Sequence, residues 1–230
     1  MPVKLLLVDD DPDLLYTLEK YLQQSGYSTV IANNGKSAIN VFETEQPEAA
    51  IIDVMMPELD GFEVVKKIRS ISTIPIILLT ARSNEADKIV GLELGADDYV
   101  TKPFSPREIV ARLKAIMRRG TQNQQESTSE ITIGKITADK NTRSIICGNT
   151  SIQLTKTEFD ILVTLMESPE QVFTREQIID KVLGYTYDGF ERTIDAHIRN
   201  LRKKIEPDAN TPVYIKTVFG VGYKIESLGK

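Results

Sequence analysis

Four apolar runs in the first half of the chain each stop at a group able to bind a cation or an anion. KLLLV stops at Asp9 and Asp10, AAII at Asp53, IPIILL at Thr80, and DDYVT at Lys102. Short apolar runs bounded by turn signals read as buried strands. Between them lie stretches with helical spacing. Leu14, Leu15, Leu18, Tyr21 and Leu22 share one such face, which Gly26 terminates. STVIA is a further strand, and residues 35–45 a further helix. The next helix follows Gly61, with Phe62, Val65, Ile68 and Arg69 bounding its inner face. Two more span residues 85–94 and 105–119, the last with Pro106 at its first position. Five β/α units predict an α/β fold, a (βα)5 doubly wound parallel sheet. The carboxyl ends of its strands lie along one edge, where open sheets place their binding crevice. The five named side chains would converge there.

Three carboxylates, a hydroxyl and an ammonium suit a hard divalent cation and a phosphoryl group. Mg²⁺ takes oxygen ligands in near-octahedral geometry and keeps several waters, so one or two carboxylates suffice. Asp10 and Asp53 are the expected direct ligands of Mg²⁺ or Mn²⁺, with Asp9 acting through water. Lys102 brings a compact positive charge for a phosphoryl oxygen, and Thr80 a hydroxyl for another. A carboxylate can itself attack phosphorus and become an acyl phosphate. Asp53 stands alone at its strand end and is the expected phosphoacceptor. A single acid after a strand is commonly a helix cap, and Asp11-Pro12 fits that pattern. Caps do not account for the complete set in order along alternating elements.

The second half is organised differently. Residues 120–130, GTQNQQESTSE, contain no strongly apolar residue and read as a solvated linker between domains at 1–119 and 131–230. Short runs (ITIG, KITAD, RSIICG, SIQL) separated by turn residues predict a small antiparallel sheet. Capping-box patterns open at Thr155 and Thr174, each heading a helix. A third helix covers residues 191–206, and a hairpin with Phe219-Gly220-Val221-Gly222 at its turn closes the domain. The expectation is an α+β helix-turn-helix with a wing. Net charge is −5, and neither half is basic: residues 1–120 carry 14 Lys+Arg against 18 Asp+Glu, residues 121–230 carry 14 against 15. A nucleic-acid surface must therefore be local. Residues 192–204 supply one, with five Lys/Arg against one acid. Ile194, Ile198, Leu201 and Ile205 form the inward face of that helix. Arg192, Thr193, Ala196, Arg199, Asn200 and Lys203 form the opposite face, with small Ala196 at its centre. The major groove admits one helix, in which Arg reads guanine and Asn reads adenine. His197 sits at the edge of the core face and is read as a surface or phosphate contact. The single Cys147 excludes an internal disulfide and suits a reducing cytoplasm. No apolar run approaches the length of a membrane span. MPVKLLLVDD is too soon acidic for a secretory signal and reads as the first strand.

VDDDPDLL, DVMMPELDGFEVV, ILLTAR and GADDYVTKPF resemble the receiver domain of two-component response regulators, a flavodoxin-like fold. LTKTEFDIL, RTIDAHIRNLRKKIE and TVFGVGYKI resemble the winged-helix effector of the OmpR/PhoB subfamily. The resemblance implies a transcription regulator to which a sensor histidine kinase transfers a phosphoryl group at Asp53. It adds the backbone carbonyl of Met55 to the metal ligands and Ala81 to the phosphoryl contacts, with Thr80 and Tyr99 as the pair that moves on phosphorylation. It also implies dimerisation through the last receiver strand and its flanking helices, where Lys88 could pair with Glu108, and Asp97 or Asp98 with Arg112. A twofold dimer would place two recognition helices on repeated half-sites of promoter DNA, and RNA polymerase is a further expected partner. Many members carry Arg where this chain has Phe219. Phe cannot make a charged minor-groove contact, which leaves Lys216 and Thr217 as the wing's expected phosphate contacts. Met55 and Arg82, two residues past Asp53 and Thr80, border the approach of water to an acyl phosphate. A haloacid-dehalogenase-like phosphatase also uses a strand-end Asp, but requires a second Asp two residues on, where Met55 stands. A DNA binder independent of phosphorylation would leave the complete acidic site without a use.

Overall fold

The computed structural model describes residues 2–81, 85–117, 129–184 and 192–227, with the side chains of residues 85–88 and 192 outside that description. The chain divides into two units, Met1–Met117 and Arg118–Lys230.

In the first unit, β1 (Lys4–Val8), β2 (Ser28–Ala32), β3 (Ala49–Asp53), β4 (Ile76–Thr80) and β5 (Asp98–Thr101) form one parallel sheet in the order β2-β1-β3-β4-β5. The helices are α1 (Pro12–Gln24), α2 (Gly35–Glu45), α3 (Gly61–Arg69), α4 (Glu85–Glu93) and α5 (Pro106–Met117). Every residue of β3 and β4 is buried, as expected for strands covered on both faces. Helix starts follow the local chemistry. The Asp11 carboxylate accepts from the N–H groups of Asp13 and Leu14, with Pro12 at the first position. Asp60 caps α3 by accepting from Glu63 N–H at 2.9 Å. The inner face of α3 is Gly61, Val64, Val65 and Ile68. Phe62 and Arg69, expected to bound it, are only half-buried. The Phe62 ring lies beside Gly91 of α4, and Arg69 donates to the Gly95 and Ile74 carbonyls and to Asp97, so Val64 fills the inner position.

In the second unit, β6 (Glu130–Ile133), β7 (Ile136–Asp139), β8 (Ser144–Cys147) and β9 (Thr150–Ile152) form an antiparallel meander. Most of the expected linker falls on residues outside the described ones, and Glu130 opens β6. Helices α6 (Lys156–Met166) and α7 (Arg175–Val182) both start with full capping boxes, at Thr155 with Glu158 and at Thr174 with Gln177. Helix α8 (Arg192–Ile205) packs against α6 and α7. The closing hairpin, β11 (Ile215–Val218) and β12 (Gly222–Ile225), gains a third strand, β10 (Phe173–Thr174). Gly222 is required there because a Cβ would collide with the Phe173 carbonyl oxygen. Between α8 and β11, Glu206 accepts from the N–H groups of Val213, Tyr214 and Ile215 at 2.7–3.1 Å.

Candidate functional site

Asp9 and Asp10 follow β1, and Asp53 closes the neighbouring β3. The register sets Val8 opposite Ile52, so the carboxylates emerge side by side. One oxygen from each of Asp9, Asp10 and Asp53 lies within 4.8 Å of the others. Asp9 and Asp53 are each 2% exposed, whereas Asp10 is open to solvent. Lys102, one residue past β5, reaches across. Its Nζ donates to Asp9 Oδ2 at 2.7 Å and lies 2.8 Å from Asp53 Oδ1. Backbone groups fix the other oxygens: Asp11 N–H donates to Asp9 Oδ1 at 3.0 Å, and Met55 N–H to Asp53 Oδ2 at 2.9 Å. Lys102 N–H donates to the Thr80 carbonyl at 2.8 Å, which ties the ends of β4 and β5 together. Gly61, which the sequence reading used only as a helix start, also belongs to the site. A Cβ there would meet the Asp53 carbonyl oxygen and Val54 Cα, so the strand end and the start of α3 can approach only at glycine.

The electrostatics leave the cluster short of positive charge. Three carboxylates stand against one ammonium, a formal charge of −2. Burial pushes the Asp53 carboxyl above the ordinary range, Lys102 pulls it down, Asp9 pushes it up, and the upward effects win. Burial also works against the charge on Lys102, but its contacts with Asp53 and Asp9 win, holding its pKa above the usual ammonium value. Hard oxygen donors clustered around excess negative charge are compatible with a divalent cation. Thr80 and Tyr99 are 3% and 5% exposed, so the Tyr99 ring is already inside. Ala81 is exposed and Met55 is 47% exposed. Arg82 and the side chain of Lys88 lie outside the described residues. The expected dimer pairs need correction. Asp97 is fully buried and pairs with Arg69 of its own chain at 2.8 Å. Asp98, also fully buried, meets Arg112 at 3.0 Å within the chain, and Arg112 meets Glu108 at 2.8 Å.

On α8 the expected inward residues Ile194, Ile198, Leu201 and Ile205 are all at most 2% exposed. The buried arc is wider than that stripe. Thr193, Ala196, His197 and Asn200, expected on or near the outer face, are 2%, 3%, 2% and 6% exposed. The helix packs against α6 and α7, and the hairpin grips it through Arg202, which donates to the Ile215 carbonyl and to Thr217 Oγ1. Among the described residues of α8, Arg199, Lys203 and Lys204 are exposed, and Lys204 pairs with Glu158 at 2.6 Å. The Arg192 side chain lies outside the described residues. A second clamp was invisible in the sequence. Asp195 of α8 accepts from Arg175 Nε at 2.7 Å and from the Tyr223 hydroxyl at 2.7 Å. Burial, then Asp195, push the Tyr223 hydroxyl up to about 12, so it stays a donor. The wing's expected phosphate contacts are engaged as well. Lys216 Nζ donates to the Pro212 carbonyl at 2.7 Å, and Thr217 accepts from Arg202.

Residues 5–114 match the response regulator receiver domain, and residues 149–225 match the C-terminal domain of transcriptional regulatory proteins. Across 98% of both chains the sequence is 41% identical to the alkaline phosphatase synthesis transcriptional regulatory protein PhoP of Bacillus subtilis (strain 168). It is 40% identical to the sensory transduction protein RegX3 of Mycolicibacterium smegmatis, over 96% of this chain and 98% of that one. DrrB, an OmpR/PhoB homolog from Thermotoga maritima, matches with a TM-score of 0.53 and 33% identity, over 98% of this chain and 100% of its own. The chain belongs to the OmpR/PhoB family of response regulators. It is therefore a phosphorylation-dependent, DNA-binding transcriptional regulator, and its receiver implies a histidine kinase partner. It is not a conventional enzyme, and the phosphatase alternative is set aside. Among the described residues of this response regulator, no helix is long and apolar enough to cross a membrane.

Proposed function

We propose that Asp53 is the phosphoacceptor and that a sensor histidine kinase supplies its phosphoryl group. The supporting observation is the buried Asp53 carboxylate with Lys102 at 2.8 Å and Asp9 and Asp10 beside it. Asp10, Asp53 and the Met55 backbone carbonyl would hold Mg²⁺ or Mn²⁺. A cation bound there would supply positive charge to the phosphoryl oxygens, so that the two anions could meet. Asp9, with one oxygen on Lys102 and the other on a backbone N–H, would act through water. The Asp53 carboxylate attacks phosphorus as the phosphorus–nitrogen bond to the kinase's phosphohistidine breaks, the imidazole leaves with the electron pair and takes up a proton, and Lys102 then pairs with a phosphoryl oxygen. Thr80 and the Ala81 N–H would take the remaining phosphoryl oxygens, coupling the site to β4 and β5, and with Tyr99 of β5 would form the switch. The receiver would catalyse only its own phosphorylation and its dephosphorylation, in which water attacks the acyl phosphate, inorganic phosphate leaves and the Asp53 carboxylate is restored.

The phosphorylated form would dimerise through α4, β5 and α5, and bind repeated half-sites near promoters in the cytoplasm, where RNA polymerase is at hand. Glu108 and Arg112 remain on that surface. Of the DNA-contact candidates, Arg199 and Lys203 carry the proposal, because both are exposed on α8. Retention of genomic fragments by the phosphorylated protein, compared with the untreated protein, tests the function. On a fragment so recovered, Arg199→Ala is expected to lose about 1–3 kcal/mol and to relax preference at one base pair. Lys203→Ala should weaken all sequences alike and reduce the salt slope by about one. If neither variant changes binding, the wrong face of α8 has been chosen.

The lifetime of the phosphoryl group should depend on Met55. Its side chain is half open beside the site and offers no hydrogen bond to orient an attacking water. Met55→Asn is expected to lose the phosphoryl group faster than the wild type, in fixed Mg²⁺ and without kinase. Unchanged or slower decay would show that position 55 does not gate the water.

A further inference from the structure

The most exposed large apolar side chain among the described residues is Phe219, at 92%. It stands at the tip of the β11–β12 hairpin. Val221 N–H donates to the Val218 carbonyl at 3.0 Å across the turn, with Gly220 at φ +76. Phe219 thus occupies the first corner of a tight two-residue turn whose second corner needs glycine. Val221, 45% exposed, extends the apolar tip. The hairpin cations cannot readily add charge there. Lys216 is held by the Pro212 carbonyl, and Lys224 pairs with Glu170 and Glu226, each at 3.0 Å.

An apolar ring in water at the end of a flexible loop would carry little meaning. This hairpin is fixed to α8 at three points. Arg202 holds the Ile215 carbonyl and Thr217 Oγ1, and Asp195 holds the Tyr223 hydroxyl. Arg202 also stacks 5.7 Å from the centroid of the Tyr223 ring. The tip therefore keeps a set position relative to Arg199 and Lys203. If α8 lies in a major groove, a hairpin clamped to it in this way is carried to the duplex with it, and its tip would be offered the neighbouring minor groove, which is about 6 Å wide. Apolar wedges, Phe among them, enter minor grooves by parting a base step.

Resting on the DNA-binding reading above, we infer that Phe219 is a minor-groove wedge: its ring contacts sugars and partly unstacks one base step beside each half-site. The wing then selects flexible pyrimidine–purine steps by their ease of deformation rather than by charge. The order of binding is α8 first, through Arg199 and Lys203, and the wedge second.

The test uses the full-length protein treated with acetyl phosphate and Mg²⁺. Its probe is a duplex that this protein selects from a random-sequence pool, with 2-aminopurine placed at successive flanking positions. Wild type should raise the fluorescence at one flanking step, the sign of local unstacking. Phe219→Ala should abolish that rise and weaken binding by about ten- to a hundredfold, with the salt slope unchanged. Phe219→Leu should keep part of both effects. Phe219→Arg should bind without the fluorescence rise and steepen the salt slope by about one. Exposure of the ring makes misfolding an unsuitable explanation, and matching melting curves for the variants check this. Failure of the wild type to select any duplex would overturn the DNA-binding reading, and the wedge with it. Selection by the wild type with Phe219→Ala unchanged in affinity and fluorescence would overturn the wedge alone. Equal DNA binding with lost promoter activation would also overturn it, and would place Phe219 against a protein.

Discussion

Asp53→Asn is expected to abolish phosphorylation. Intact-mass measurement after acetyl phosphate and Mg²⁺ should show one added phosphoryl group on the wild type and none on the variant. The amide keeps the shape of the side chain, so Met55 N–H retains an acceptor where it now meets Asp53 Oδ2 at 2.9 Å. What is lost is the nucleophile and one negative charge. Lys102 keeps Asp9 as a partner at 2.7 Å, so the fold should survive with little change. The same variant, treated with phosphodonor, should bind DNA no better than untreated wild type. Removing the divalent ion with a chelator should suppress labelling of wild type to a comparable degree, because three carboxylates and one ammonium leave the site too negative to receive a phosphoryl anion. Equal labelling of wild type and variant would move the acceptor to another residue, with Asp9 and Asp10 the first to examine.

The acidic site could be read from sequence because each of its residues is fixed by its own strand. An apolar run that ends in Asp or Lys states both the burial of the strand and the position of the charge, and parallel topology does the rest. The capping boxes at Thr155 and Thr174 were legible for a similar reason, since all partners lie within three residues. The outer face of α8 was not. Periodicity located the centre of the buried arc at Ile194, Ile198, Leu201 and Ile205 but could not give its width. That width depends on how many neighbours the helix has; α8 packs against α6 and α7 and is tied to the hairpin, and Thr193, Ala196, His197 and Asn200 are buried as well. Strand β10 has two residues, too few for any alternation to register. The clamp of Arg175, Asp195 and Tyr223 spans 48 positions of sequence between elements whose adjacency no local pattern announces. The same holds for Arg69 and Asp97, and there the misreading changed a functional expectation. Asp97 was expected on the surface between two copies of the chain because the family resemblance places the dimer face at the last receiver strand, and no local pattern announces its partner Arg69.

Arg69→Met is expected to destabilise the receiver by about 3–5 kcal/mol, the usual cost of removing one partner from a buried ion pair. The Arg69 side chain is 11% exposed, and that of Asp97 is fully buried. Its guanidinium donates to the Gly95 carbonyl at 2.7 Å, to the Ile74 carbonyl at 2.7 Å, and to Asp97 Oδ2 at 2.8 Å. Asp97 Oδ2 also accepts from Ile76 N–H at 3.0 Å, at the start of β4. One side chain thus joins the end of α3, the turn before β4 and the turn before β5. Methionine keeps most of the length and apolar contact but leaves a buried carboxylate without its cation. Asp97→Asn should cost less, because the amide oxygen can still accept from Ile76 and from Arg69, and no unpaired anion remains. The double variant should recover part of the Arg69→Met loss, since the stranded charge is gone; that recovery is the coupling between the two positions. Urea unfolding followed by circular dichroism measures all three, with the shift in midpoint read at constant slope. If Arg69→Met moved the midpoint by no more than an ordinary surface substitution, within about 0.5 kcal/mol, the pair would not be holding the fold. Asp97 would then return as a candidate for contact with a second copy. A loss of the expected size at protein concentrations too low for dimers places the role of Asp97 inside one receiver, and leaves Glu108 and Arg112 to shape the surface between two.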